Sequence, residues 1–414
     1  MNIFYEKILV YLTLCLIVVS SCTKPSVEPI DRPTDEPTEE PTDKPEDVPS
    51  NQPNDDPNDT PTDAPTDNPA EDSSHHDLSA SETANSYIVS NAGTYKFKAV
   101  KGNSSDSIGN LHSAEVMWES FGNNTAPSVG DLVKSVECSG NYIVFQTADD
   151  FLEGNALIAA KDADGNILWS WHIWLTDQPE VHKYFNDSGS MMDRNLGATS
   201  TTPGDICSLG LLYQWGRKDP FLGSNKISLS SQAKSTITWP TKVSVNEVTG
   251  TIEYSIANPT TYISFNSTNS DWLYDTSQQY AQKRWTTSDK PKSIYDPCPQ
   301  GWRVPDGGEN NVWSNVAKST SFTYSYDSTN KGMDFSNHFG ANPSIWYPTP
   351  GYRYGHGGTT TDVGRVGYYW TASLTKDEGF AYYMQINASI GQVDIVSDKY
   401  NAYGRSVRCI KVEL

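Results

Sequence analysis

Prolines stand at positions 25, 29, 33, 37, 41, 45, 49, 53, 57, 61, 65 and 69, an unbroken period of four with mainly Thr, Asp, Glu and Asn between them. Neither a helix interior nor a sheet ladder accommodates that spacing, because every proline removes a backbone donor and fixes φ. Residues 24–77 also carry 17 acidic against 3 basic side chains, which is −14 of the chain's net −21. A segment with no aromatic residue and few aliphatic ones cannot offset the entropy of ordering. Residues 22–76 are therefore expected to form a disordered stalk. At ~3.1 Å per residue the stretch from Pro25 to Pro69 could reach ~140 Å. A proline-rich ligand for a partner domain is the rival reading. Prolines four apart do not stay on one face of a three-fold polyproline helix, which argues against it.

What precedes the stalk says what it is attached to. Lys7 supplies a positive charge, and Ile8 to Val19 supply a largely apolar run that is too short to span a bilayer but fits the core of a secretory signal. Val19-Ser20-Ser21-Cys22 resembles the bacterial lipobox, in which a signal peptidase cuts just before a Cys whose sulfur takes diacylglycerol. A plain signal peptide with a chance Cys is the alternative, but here the Cys ends the apolar run and the tether follows directly. The expectation is a signal peptide over 1–21, lipidation at Cys22, and a membrane partner held through the lipid, where two or more acyl chains anchor stably. The expected location is the cell envelope, at the outer membrane and surface-exposed. The acidic balance argues against nucleic acid as a partner.

After Asp77 the pattern changes to short apolar runs separated by turn signals. Asn85 to Val89, Thr94 to Val100, Ala114 to Trp118, Tyr142 to Thr147, Ala156 to Lys161 and Ile167 to Leu175 read as strands. Turns such as Ser139-Gly140-Asn141 and Asp164-Gly165-Asn166 lie between them, giving a small antiparallel, immunoglobulin-like β-sandwich over 77–178. His172, set among tryptophans, reads as a packed structural histidine. From 179 to 414 Trp, Tyr, Gly, Asn and Ser dominate. In YDPCPQGWRVP (295–305) Pro297, Pro299 and Gly301 fix a rigid turn. One helix is expected, about Glu309 to Lys318, followed by short strands and long loops.

MDRNLGA (192–198), GLLYQWGRKDPF (210–221), YDPCPQGWRVP (295–305), GYYWTAS (367–373) and GRSVRCIK (404–411) together resemble the Fibrobacter succinogenes major paralogous domain. The blocks lie in that family's order and span nearly the whole of 179–414. The resemblance implies an α+β, C-type lectin-like domain with few helices, a curled sheet and long irregular loops. SYIVSNAGTYKFKAV (86–100) and AAKDADGNILWSWHIWL (159–175) are similar to the module that precedes this domain in Bacteroidetes surface and fimbria-associated lipoproteins. This chain lacks the large fimbrial domain that some relatives carry upstream. The lectin-like resemblance also implies that the GWRVP turn lies near the terminal strand, close enough for Cys298 to pair with Cys409. Cys138 and Cys207 leave other pairings open.

Motifs for catalysis are missing: there is no GxSxG, HExxH, P-loop or dinucleotide fingerprint. The lectin-like fold also includes formylglycine-generating oxidases, whose chemistry needs a reactive Cys. Cys409 stands alone in VRCIK and Cys298 lies between two prolines, so no enzyme and no cofactor is expected. Calcium needs several oxygen ligands in one loop, yet the loop before GYYWTAS offers only Asp362, and EPN, QPD and WND motifs are absent, so no metal is expected. That loop does offer IWYPTPGYRYGHGG (345–358). Trp346, Tyr352 and Tyr354 supply aromatic faces for stacking, and Arg353 and His356 supply polar tips. These five residues are the candidate ligand site. The competing expectation is that the aromatics are the domain's own core. Two functions follow: display of a non-catalytic lectin-like domain for adhesion to a glycan or a host or bacterial surface protein, or service as an accessory or anchor subunit among fimbrial subunits.

Overall fold

A computed structural model describes residues 75–266, 270–277, 280, 283–286, 292–308, 311–317, 325–336, 345–375, 380–398 and 400–413. The expected signal peptide, the expected lipidation site Cys22 and the expected stalk lie outside them. The six apolar runs after Asp77 form strands, and two further strands join them: β1 (His76–Asp77), β2 (Ser86–Val89), β3 (Thr94–Lys98), β4 (Ser113–Ser120), β5 (Val133–Ser139), β6 (Tyr142–Thr147), β7 (Gly154–Lys161) and β8 (Ile167–Leu175). They make two four-stranded sheets, in the orders β1-β3-β6-β5 and β2-β8-β7-β4. The turns are made as the sequence specifies. Gly140 and Gly165 take positive φ, and Asp162 Oδ1 accepts the amides of Asp164 and Asn166 at 3.0 and 2.8 Å. The expected all-antiparallel pairing needs correction: β1 pairs with β3 and β2 with β8 in parallel. Each of these first strands joins a sheet at an edge beside a strand running its own way, so both sheets are mixed.

Alternation along β8 explains its unbroken apolar run. Trp169, Trp171, Ile173 and Leu175 enter the core shared by the two sheets, with Phe97, Ile143, Phe145 and Ile158. Trp174, from the intervening positions, packs instead with Trp118, Leu157, Met192, Leu196, Tyr213, Trp215 and Trp370. The β2-β8-β7-β4 sheet is thus buried on both faces, and its second face is a wall of the core of the chain beyond 179. Hydrogen bonds cross the same boundary: Trp174 Nε1 donates to the Ala198 carbonyl, Asn155 to that of Gly197, and Asn85 to those of Ile294 and Asp296. The described residues all belong to one compact unit.

Beyond 179 the regular structure of the described residues is strand far more than helix, in mostly short strands joined by long stretches of turn and loop. A meander of Val366–Leu374, Ala381–Asn387 and Gln392–Asp398 is the larger part of a seven-stranded sheet that also takes in Gly404–Ser406, Tyr352–Arg353, Thr360–Thr361 and Leu212–Gln214. These strands are longer than the sequence led one to expect. A four-stranded sheet joins Trp302–Arg303, Ile410–Lys411, Ser190–Met192 and Val181–Lys183. Cys298 and Cys409 are disulfide-bonded with Cα atoms 6.1 Å apart, next to the pairing of Arg303 with Ile410. Cys138 is a free thiol.

The expected helix is present as Val312–Ala317, with Val312, Trp313 and Val316 buried; residues 309, 310 and 318 lie outside the described set. A second helix, Ile252–Ala257, was not expected. Its Ile252, Tyr254 and Ile256 alternate like a strand, and local capping overrides that pattern: Thr251 Oγ1 accepts the Tyr254 amide at 3.0 Å.

Candidate functional site

The sequence blocks richest in charge are spent on holding the molecule together. In MDRNLGA, Arg194 donates to Asp193 at 2.9 Å and to Asp177 at 2.6 Å, while Asn195 accepts from Arg408 and donates to the Leu209 carbonyl. In GLLYQWGRKDPF, Gln214 donates to the Ile263 and Ala402 carbonyls, and Arg217 donates to carbonyls at the end of the Ile252–Ala257 helix and in the turn after it. Lys218 donates to Asp219 and Ser170 on β8 and lies over the Trp169 ring. In YDPCPQGWRVP, Asp296 accepts the amides of Cys298 and Val304, each at 2.9 Å, and Lys292 donates to the Cys298 and Pro299 carbonyls. Burial pulls Lys218 and Lys292 below the usual lysine range and pushes Asp296 above the usual carboxylate range. Arg194, Arg217, Lys218, Lys292 and Asp296 are buried and bonded within the molecule, so they form a scaffold for whatever the surface loops do.

Within 345–358 the five candidate residues are divided between core and surface. Trp346 lies on a strand, Trp346–Pro348, that pairs with Gly332–Asp334, and it is buried. Arg353 is 4% exposed. Its guanidinium donates to the Leu222 carbonyl at 3.1 Å, to the Gly358 carbonyl at 2.7 Å and to Gln232, and it lies among the rings of Phe221, Trp239 and Tyr262. Trp346 and Arg353 are therefore removed from the site. For Arg353 the reason is strand alternation, since with Tyr352 and Tyr354 turned outward Arg353 turns in; Trp346 lies on a strand whose three residues are all buried. Tyr354 is 38% exposed, His356 is exposed and Tyr352 is half-buried. Of the three candidate rings only Tyr354 is exposed.

The surface pole is a tyrosine cluster assembled from four stretches of chain. Tyr352 and Tyr403 stack with centroids 5.3 Å apart and planes within 6°, and Tyr400 stacks on Tyr403 at 5.0 Å. Tyr354 meets Tyr403 edge-on at 5.6 Å. Phe265 touches Tyr354, His356, Tyr400 and Tyr403, and Tyr368 packs on Tyr352. Phe265, Tyr368, Tyr400 and Tyr403 are half-buried. Beneath them the buried Arg405 guanidinium lies 5.4 Å from the Tyr403 ring, 5.0 Å from Tyr368 and 3.9 Å from Tyr383. Gly355 permits the closeness, since a Cβ there would stand 2.5 Å from the Tyr403 ring and 2.8 Å from Phe265.

The electrostatics of the cluster are those of neutral phenols. Tyr352 is pushed up to about 12, first by burial and then by Asp362, whose carboxylate accepts its hydroxyl at 3.3 Å. Burial, reinforced by its tyrosine neighbours, raises Tyr403 as well. Asp362 is in turn 3.6 Å from Arg365. Phe265, Tyr400 and Tyr403 escaped the sequence reading because they lie far from 345–358 in the chain, and Tyr368 because GYYWTAS reads as a strand of the domain. The one local signal was Tyr400 and Tyr403 standing directly before GRSVRCIK. An open groove of about 550 Å³ lies elsewhere, lined in part by Asp205, Lys226 and Ile227. Asp205 there accepts the Cys207 amide. Among the described residues no three His, Cys, Asp or Glu side chains are grouped to hold a metal ion, and no helix is long and apolar enough to cross a membrane. Comparison with family models, curated proteins and solved structures finds no match for this chain.

Proposed function

We propose that this chain is a cell-envelope lipoprotein that uses an acidic stalk to display a non-catalytic binding domain, and that the domain binds its ligand on the tyrosine cluster. The reading joins the expected lipid anchor at Cys22 to an immunoglobulin-like sandwich and a lectin-like terminal domain of the Fibrobacter succinogenes major paralogous type. The observation that carries it is the cluster itself: Tyr352, Tyr354, His356, Phe265, Tyr400 and Tyr403 gather at one surface while the charged motif residues are consumed inside. Rings preorganised by mutual stacking need little further ordering when a ligand arrives, which is where affinity is otherwise lost. An oxidase of the formylglycine-generating kind is disfavoured, because Cys298 and Cys409 are buried and bonded to each other.

The reading is tested on whole cells. The chain is expected in the detergent-soluble membrane fraction and sensitive to protease added outside. Cys22→Ala is expected to release or mislocalise it. A Cys22→Ala chain that stays with the membrane removes the lipoprotein reading. A pull-down from intact cells separates display from assembly, since a fimbrial subunit recovers polymerised pilins and an adhesin recovers a glycan or a foreign protein.

A further inference from the structure

We infer that the open groove of about 550 Å³ between residues 202–206 and 226–228 binds a short peptide with free amino and carboxyl ends, Asp205 taking the ammonium and Lys226 the carboxylate. The groove shares no lining residue with the tyrosine cluster, and the inference does not rest on that cluster. Its volume falls within the span of small-molecule sites, about 300–1,000 Å³. Both walls are held in shape. On the first, Thr202 donates its amide to Ser200 Oγ and accepts the Asp205 amide. Gly204, at positive φ, lets the Asn330 side chain close in behind, where a Cβ would overlap Asn330 Oδ1. On the second, Ser224 Oγ accepts the Lys226 amide, and a Cβ on Gly364 would stand 2.6 Å from the Ile227 carbonyl oxygen and 3.1 Å from Ser228 Cα. Walls fixed in this way need little further ordering when a ligand arrives.

The ligand class follows from two charges of opposite sign that line one groove without neutralising each other. Asp205 gives Oδ1 to the Cys207 amide, and its Oδ2 makes no bond among the described residues. Lys226 is exposed and makes no ion pair among them, with Asp205 or with any other carboxylate. Lys331 adds to the positive side. Its Cδ lies 3.3 Å from the same point beside Gly364 that Ile227 and Ser228 approach, and it makes no ion pair among the described residues. The neighbouring Asp327 is turned back into its own loop, where it accepts the Thr329 and Asn330 amides and the Asn330 side chain. A purely anionic ligand would meet Asp205, and a purely cationic one would meet Lys226 and Lys331. A ligand with one charge of each sign complements both. Pro203, Ile206 and Ile227 add apolar wall for peptide side chains, and Thr202 and Ser228 bring hydroxyls for its amide groups.

Calorimetric titration of the whole mature chain in detergent with the dipeptides Ala-Leu and Leu-Ala, and with their N-acetylated and C-amidated forms, tests the inference. The free dipeptides are expected to bind saturably. Blocking either end is expected to weaken binding about tenfold, the loss of one hydrogen bond to a charged group. Lys226→Gln is expected to lose the preference for a free carboxylate and to keep the preference for a free amine. Asp205→Asn, which retains an oxygen for the Cys207 amide, is expected to do the reverse, and a thermal melt checks that each variant is folded. Doubly blocked dipeptides that bind as tightly as free ones overturn the inference, as does binding that ignores one of the two blocked ends. No saturable binding by either free dipeptide, or wild-type binding by both variants, overturns the groove as a site. The reading of the tyrosine cluster survives each of these outcomes, so the two fail separately.

Discussion

Arg353 and Tyr354 are neighbours in sequence with opposite fates, and substitution at each should read out differently. Arg353→Ala leaves the buried Leu222 carbonyl and the half-buried Gly358 carbonyl and Gln232 without their donor, at about 1–3 kcal/mol for a buried group left unsatisfied and less for the half-buried ones. A denaturant melt is expected to show a loss of several kcal/mol, with Arg353→Lys recovering only part because an ammonium cannot reach three diverging acceptors. Tyr354→Ala, at the surface, is expected to change stability by no more than about 0.5 kcal/mol while weakening ligand binding. Equal stability losses from the two would contradict the division between core and surface. Seen from sequence alone, IWYPTPGYRYGHGG gave half of the site. It showed that aromatics, prolines and glycines concentrate there, but not which side chains turn inward. That is fixed by the pairing of Tyr352–Arg353 with Thr360–Thr361, a register no local pattern announces.

Strand alternation also places His172 between two layers, where its protonation becomes a matter of stability. Nδ1 lies 3.0 Å from Ser86 Oγ, and Nε2 lies 2.9 Å from Asn155 Oδ1. Because Asn155 Nδ2 is committed to the Gly197 carbonyl, the consistent assignment is a neutral ring with Nε2–H donating to Asn155 and Nδ1 accepting from Ser86. Burial holds the ring far below the ordinary histidine value of 6.5, down to about 3. A histidine whose folded pKa is lowered takes up a proton only on unfolding. The stability it contributes is therefore present above about pH 6.5 and is lost as pH falls toward 3, at up to about 1.4 kcal/mol per pH unit. His182, lowered by burial too, adds in the same direction. Denaturant melts between pH 7 and 4 are expected to show this decline, with a shallower slope for His172→Gln; an identical slope would remove His172 as its source. The Cys298–Cys409 bond closes a long loop across a separation of 111 residues, and Cys409→Ser is expected to cost about 2–5 kcal/mol in the same melts under oxidising conditions. Turns and strands were legible here because Asp-Gly and Ser-Gly-Asn fix local geometry. Parallel pairing of β1 and β2 was not, because it depends on where each strand enters its sheet.

At the scale of the whole molecule, the sequence suggests two modules joined near residue 178, and composition does change there. The packing does not divide at that point. Trp118, Leu157 and Trp174 share one core cluster with Met192, Leu196, Trp215 and Trp370; Ser170 on β8 is bonded to Lys218 and Asp219; and Glu119 and Ser120 on β4 are bonded to Thr236 and Lys234. A chain cut to 179–414 would expose the apolar wall that β4, β7 and β8 now cover. It would also leave Lys218 and Asp219 facing water without Ser170 and Trp169. Losing even one such tryptophan costs about 3–5 kcal/mol, against a total folding stability of about 5–15 kcal/mol. The fragment 179–414 is therefore expected to be insoluble or molten, with weak near-ultraviolet dichroism, whereas 75–414 melts in a single cooperative transition. Trp174→Ala in 75–414 is expected to lower that one transition without splitting it. Two separate transitions in 75–414, or a soluble and cooperatively folding 179–414, would show that the shared core is dispensable. The stalk would then be carrying two independent domains.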